Sequence, residues 1–139
     1  MLEVGAAWVR ALATPTVGHI LMIAQVTPAE IVSGVARRRR EGTIPARAAH
    51  AIRLLVDRHT RREYMVIALQ AQVLHRTENL LETHPLRAYD AVQLASALES
   101  NDRLAAAGLA PLVFVSADTR LLAVAIAESL TTDDPNVHP

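Results

Sequence analysis

The sequence contains neither cysteine nor lysine. The first absence excludes disulfides, thiol catalysis, iron–sulfur clusters and cysteine-built zinc sites. The second excludes Schiff-base chemistry and the lysine of a phosphate-binding loop; all 14 basic residues are arginine. Aromatic side chains make up 3% of the chain (Trp8, Tyr64, Tyr89, Phe114), too few for a base-stacking platform. The 5 glycines form no GxGxxG pattern, Ser33 lies outside any GxSxG elbow, and the 6 histidines show no ligand spacing such as HExxH. Long apolar runs are also lacking: residues 11–29 are uncharged but interrupted by Pro15, Gly18, His19, Gln25 and Pro28, so no membrane span is expected. No basic patch leads into an apolar run at the N-terminus, which makes a cytoplasmic protein the default expectation.

What is present is a chain of 139 residues, 51% hydrophobic and 20% charged, long enough for a single domain with a buried core. Its zero net charge hides an asymmetry. Residues 1–62 carry ten arginines against four acids, and residues 63–139 carry four against ten. A basic surface for a polyanion beside an acidic site for a cation is one reading; unevenly charged helices are the other.

Three short apolar runs, 20–24, 64–69 (YMVIAL) and 112–116 (LVFVS), read as buried strands, the first of them buried on both faces. Helices are expected over 3–13, 27–41, 45–61, 70–83, 87–107 and 117–130, with Val73, Leu80 and Leu81 turned inward on the fourth. Thr27, Pro28 and Glu30 suit a capping box, Gly42 and Gly108 suit helix ends, and His84-Pro85 stops a helix. The tail 131–139 has room for a short edge strand. Apolar strands alternating with helices imply an α/β domain with a mainly parallel sheet, although three clear strands make it thin.

The carboxylates carry the chemistry. In a parallel α/β sheet, ligands bind beyond the carboxyl ends of the strands. Glu30 opens the helix after the first strand, and Asp118 opens the helix after the third. Asp90 lies in the first turns of its helix among Ala88, Ala91, Val92 and Leu94, where a charge needs a partner. Converging carboxylates need a cation, and oxygen-only ligands select a hard ion such as Mg²⁺ or Mn²⁺, an ion suited to phosphodiester hydrolysis. Each acid also has a plainer reading: Glu30 as a capping-box carboxylate, Asp118 as a first-turn acid favoured by the helix dipole, and Asp90 as the partner of Arg87 three residues earlier.

The segments TPAEIVSGVARRRREG (27–42), HPLRAYDAVQLASAL (84–98) and FVSADTRLLAVAIAESL (114–130) resemble the PIN domain, and among its members the VapC-type toxins of toxin–antitoxin pairs. The tail TTDDPNVHP is similar to the end of such domains. The resemblance implies a three-layer α/β/α fold with a mainly parallel central sheet. It also implies a Mg²⁺- or Mn²⁺-dependent endoribonuclease, an antitoxin partner and a homodimer. Carried over by position, Glu30, Asp90 and Asp118 would be catalytic metal ligands, supported by Ser116, Thr119 and Arg87. The family's opening strand and its Asp are expected to be absent, since no acid except Glu3 precedes Glu30. The four arginines at 37–40 wrap fully round a helix end. They solvate that end, or one or two of them meet an RNA backbone or an acidic antitoxin segment. A non-catalytic PIN-like module that binds an antitoxin or itself is the alternative.

Overall fold

A computed structural model describes residues 3–138. Its elements are α1 (Ala6–Leu12), a 3-10 turn (Pro15–Val17), β1 (Leu21–Ala24), α2 (Thr27–Arg40), α3 (Ala46–Arg62), β2 (Tyr64–Ile67), α4 (Ala71–Thr83), α5 (Ala88–Ala106), β3 (Val113–Val115), α6 (Thr119–Ala127), β4 (Thr131–Asp133) and a second 3-10 turn (Pro135–Val137). Every expected helix and strand forms, including the edge strand in the tail. The α/β class and the parallel strand direction are both observed. Among the described residues no helix is long and apolar enough to cross a membrane.

The chain forms two compact units. One is Ile20–Ala68; the other joins the segment up to His19 with everything from Leu69 onward. In the first unit β1 pairs parallel to β2, with Leu21 opposite Tyr64 and Ala24 opposite Ile67. In the second, β3 pairs parallel to β4, with Val113 opposite Thr131 and Val115 opposite Asp133. The described strands therefore make two separate pairs where one sheet was expected.

This corrects the expectation of buried strands. Consecutive Met65 and Val66 in β2 are 49% and 39% exposed, and Val113 in β3 is 52% exposed. A strand in a two-stranded sheet is an edge strand by construction, so its flank and faces lack the cover that a wider sheet supplies.

The larger unit owns the hydrophobic core. Val73 and Leu80 of α4 pack with Ala91, Leu94, Ala95 and Leu98 of α5, and Leu121, Ala125 and Leu130 complete the cluster. Alanines on α5 let α4 approach closely. The buried hydroxyls there are satisfied within their own helices, Thr77 donating to Val73 O and Ser100 to Ser96 O. Leu81 turns outward instead of inward, because Val73, Thr77 and Leu80 already complete the buried stripe. Arg76 ties the two helices at their surface, donating to Glu99 (2.9 Å) and Asp102 (2.7 Å). Partial burial works against its charge, but the two carboxylates outweigh that and hold the guanidinium charged above its usual range.

The smaller unit buries only Ala24 and Ala49 among its described hydrophobic residues. Its helices α2 and α3 form a hairpin that turns at Gly42, whose φ of 74° favours glycine. The capping-box expectation fails at its start. Val26 is the N-cap of α2 and makes no side-chain capping bond, while Thr27 is already helical. The helix thus begins one residue earlier than the capping box requires, with Pro28 at its second position.

Candidate active site

The passage from β3 into α6 is fixed by a chain of hydrogen bonds. Ser116 donates its N–H to Asp133 O (3.2 Å), and its Oγ accepts the N–H of Asp118 (3.1 Å). Asp118 is thereby held in the extended conformation of a helix N-cap. Its Oδ1 accepts from Arg120 N–H (2.9 Å) and Leu121 N–H (3.3 Å), satisfying two donors that a helix start leaves open. The plainer reading of Asp118, as an acid suited to the helix terminus, is realised. Both capping bonds go to Oδ1, and Oδ2 takes part in neither. Ser116, expected to support the acid through its hydroxyl, does so through the acid's backbone. Thr119 is the first residue of α6 and is exposed.

Asp90 occupies the first turn of α5 and is half-buried. Arg87 is the N-cap of that helix and is exposed. Among the described residues no ion pair joins the two, which corrects the pairing expected from their spacing. An extended N-cap residue lies outside the helical repeat that brings positions three apart together. Glu30 lies in the first turn of α2 and is exposed. It belongs to the smaller unit, whereas Asp90 and Asp118 belong to the larger.

Two acids that nothing local in the sequence marks adjoin the Asp118 loop. Asp133 ends β4, and its Oδ1 accepts the N–H of Asp134 (2.8 Å) and lies 2.7 Å from His138 Nε2. Asp134 accepts from Asn136 N–H (2.8 Å), and Asn136 Nδ2 donates to Ala117 O (3.2 Å). His138 in turn stacks on Trp8, with ring centroids 4.1 Å apart and planes within 4°. The available signal was an acid at the end of an edge strand running parallel to β3, since parallel strands present their carboxyl ends to one rim.

The donor types fit a hard divalent ion: carboxylate and hydroxyl oxygens, with no thiolate. Among the described residues no three His, Asp or Glu side chains form a ready-made group for a metal. The fit is therefore one of donor chemistry and not of an assembled cluster.

Compared with known proteins, the chain matches the family model described as PIN domain over residues 3–127. No curated protein and no solved structure gives a match.

Proposed function

The chain belongs to the PIN domain family, which carries nuclease-type function in general, and on that premise we propose that it is a metal-dependent endoribonuclease of the VapC toxin type. The family match over residues 3–127 carries this reading. The hydrogen-bonded seat of Asp118 supports it, as does a half-buried Asp90 carboxylate that no cation among the described residues pairs with. Asp90 and Asp118, both of the larger unit, would hold one Mg²⁺ or Mn²⁺, and Glu30 is a further metal ligand by the family resemblance alone. A bound ion of this kind supplies a nucleophilic water at neutral pH and offsets charge on the phosphate. The chain's own part is to present the carboxylates. Ser116 fixes the loop that carries Asp118, the N-terminus of α6 adds positive potential beside it, Thr119 would support the acid as a second hydroxyl, and Arg87 would steady the substrate's phosphate. An antitoxin protein restrains the enzyme in the cytoplasm, and the working form is a homodimer.

The direct test is cleavage of single-stranded RNA with Mg²⁺ or Mn²⁺ by the parent and by Asp90→Asn. Cleavage by the parent alone is expected; equal cleavage by both sinks the mechanism. A second reading, a non-catalytic module that binds an antitoxin or itself, is favoured by the exposed apolar side chains Met65, Val66 and Val113. Calorimetric titration with Mn²⁺ separates the two. Heat abolished by Asp118→Ala supports the enzyme, and no heat at millimolar ion supports the module.

A further inference from the structure

Helix α1 and the tail meet beside the Asp118 loop, within the larger unit. α1 has 7 residues and buries none of them, and isolated helices below about 12–15 residues are marginal in water. The tail anchors it. Gly5 lies against the Pro135 carbonyl, where an added Cβ would collide, and Trp8 stacks face to face on His138. From His138 a run of bonds leads to the candidate metal acid. Its Nε2 lies 2.7 Å from Asp133 Oδ1; an ionised carboxylate only accepts, so the ring donates. The same Oδ1 accepts the N–H of Asp134, so two donors fix the Asp133 side chain at the end of β4. Asp133 O accepts from Ser116 N–H, and Ser116 Oγ accepts from Asp118 N–H. The His138 ring thus has one face on α1 and one nitrogen on β4.

We propose that His138 is a positioning residue for the Asp118 carboxylate: held by Trp8, it fixes Asp133 and, through the β3–β4 pairing, the loop over residues 116–118. It acts through Asp133 and not by touching ion or substrate. Two states of the chain ends give it effect. With α1 docked, the stack immobilises a ring that a chain terminus otherwise leaves free to turn, and a loop ordered beforehand spares that cost when an ion binds. With α1 undocked, β4 loses a restraint at its last residue. A strand of 3 residues, paired with β3 alone among the described residues, then opens readily. Opening releases Ser116 N–H and loosens the seat of Asp118. This deepens the nuclease reading and rests on it for the identity of the ligand.

The test compares the full-length parent with His138→Phe, which keeps a ring on Trp8 but has no donor for Asp133, and with Trp8→Ala, Trp8→Phe and Arg76→Ala. Amide hydrogen exchange without metal reads the loop at Ser116, Arg120 and Leu121, and calorimetry with Mn²⁺ reads the affinity. His138→Phe and Trp8→Ala should speed exchange at those amides relative to the core amide of Leu94. Both should weaken Mn²⁺ binding about tenfold, the low end of what groups that orient a ligand contribute. Trp8→Phe, which keeps the stack, should recover most of both. Arg76→Ala removes the ties to Glu99 and Asp102; it should lower stability and leave the affinity unchanged. Exchange and affinity in His138→Phe equal to the parent's would overturn the proposal. So would exchange rising equally at Leu94, no recovery in Trp8→Phe, or the same loss of affinity in Arg76→Ala. No Mn²⁺ binding by the parent sinks the nuclease reading alone, because exchange still decides whether His138 holds the Asp118 loop.

Discussion

Replacing Asp118 once by asparagine and once by alanine separates the two duties of this side chain. As an N-cap, its Oδ1 receives the N–H groups of Arg120 and Leu121 at the head of a helix that buries Leu121, Leu122 and Ala125. Asparagine caps about as well as aspartate, whereas alanine leaves both donors open at a cost of about 1 kcal/mol. Losing the negative charge at a helix N-terminus costs a further ~0.3–1 kcal/mol in either variant. Without metal, stability in urea should therefore fall in the order parent, Asp118→Asn, Asp118→Ala. The alanine variant should melt roughly 3–5 °C below the asparagine variant, given the size of the chain. As a proposed ligand, the same side chain should link stability to metal. Mn²⁺ at about a hundred times its dissociation constant should stabilise the parent by about 2.7 kcal/mol, and each variant by far less. If the Asp118→Asn protein gains as much from Mn²⁺ as the parent, Asp118 is a cap and not a ligand. If the Asp118→Ala protein unfolds at the same urea concentration as the Asp118→Asn protein, the capping argument itself is wrong.

Other perturbations test the fold around the site. Leu94→Ala should cost about 2–5 kcal/mol in urea unfolding, since Leu94 is fully buried in the core; a loss under about 1 kcal/mol would refute that placement. Gly5→Ala should destabilise strongly, because Gly5 has φ 77° and an added Cβ would collide with the Pro135 carbonyl, and a melting temperature equal to the parent's would disprove the packing of α1 against the tail. Burial, and secondarily the neighbouring Glu63 charge, push the Tyr64 phenol up from its ordinary value of 10.0. In a Tyr89→Phe background, ultraviolet titration should show the remaining tyrosine ionising later in the folded than in the urea-unfolded chain. The associated stability is present below about pH 10 and lost as pH rises through the folded value; ionisation at the same pH in both states would contradict it.

Periodicity made α4 legible, because it has one face that must avoid water. Val73 and Leu80 were readable as core for that reason. Leu81 was not, since it sits at an equally plausible edge of the same stripe and only the packing of α5 decides which edge is covered. The strands were legible as apolar runs but their burial was not. Sequence records the hydrophobicity of Met65 and Val66, not how many neighbouring strands will cover them. Thr27 misled because Pro28 is compatible with more than one helix register, and here it occupies the second position.

The acids divide along the same line. Asp118 was legible by context, directly after a strand and before an apolar helix, and both its capping and its proposed ligand role follow from that place. Its plain and functional readings do not compete, since one oxygen can cap α6 while the other faces a cation, and the cap then orients the ligand. Asp133 was not singled out as a site acid, for the opposite reason. The tail reads as an edge strand, but nothing local says which strand it joins, and a parallel pairing across residues 113–133 is a non-local event. Once formed, that pairing brings Asp133 O to the N–H of Ser116, so the tail braces the loop that carries Asp118. A chain cut after Leu130 should therefore weaken the Asp118 cap and any metal response together, while Asn136→Ala, which removes only the bond to Ala117 O, should leave both largely in place. Equal losses from the two changes would show that the loop depends on the 3-10 turn and not on the strand pairing.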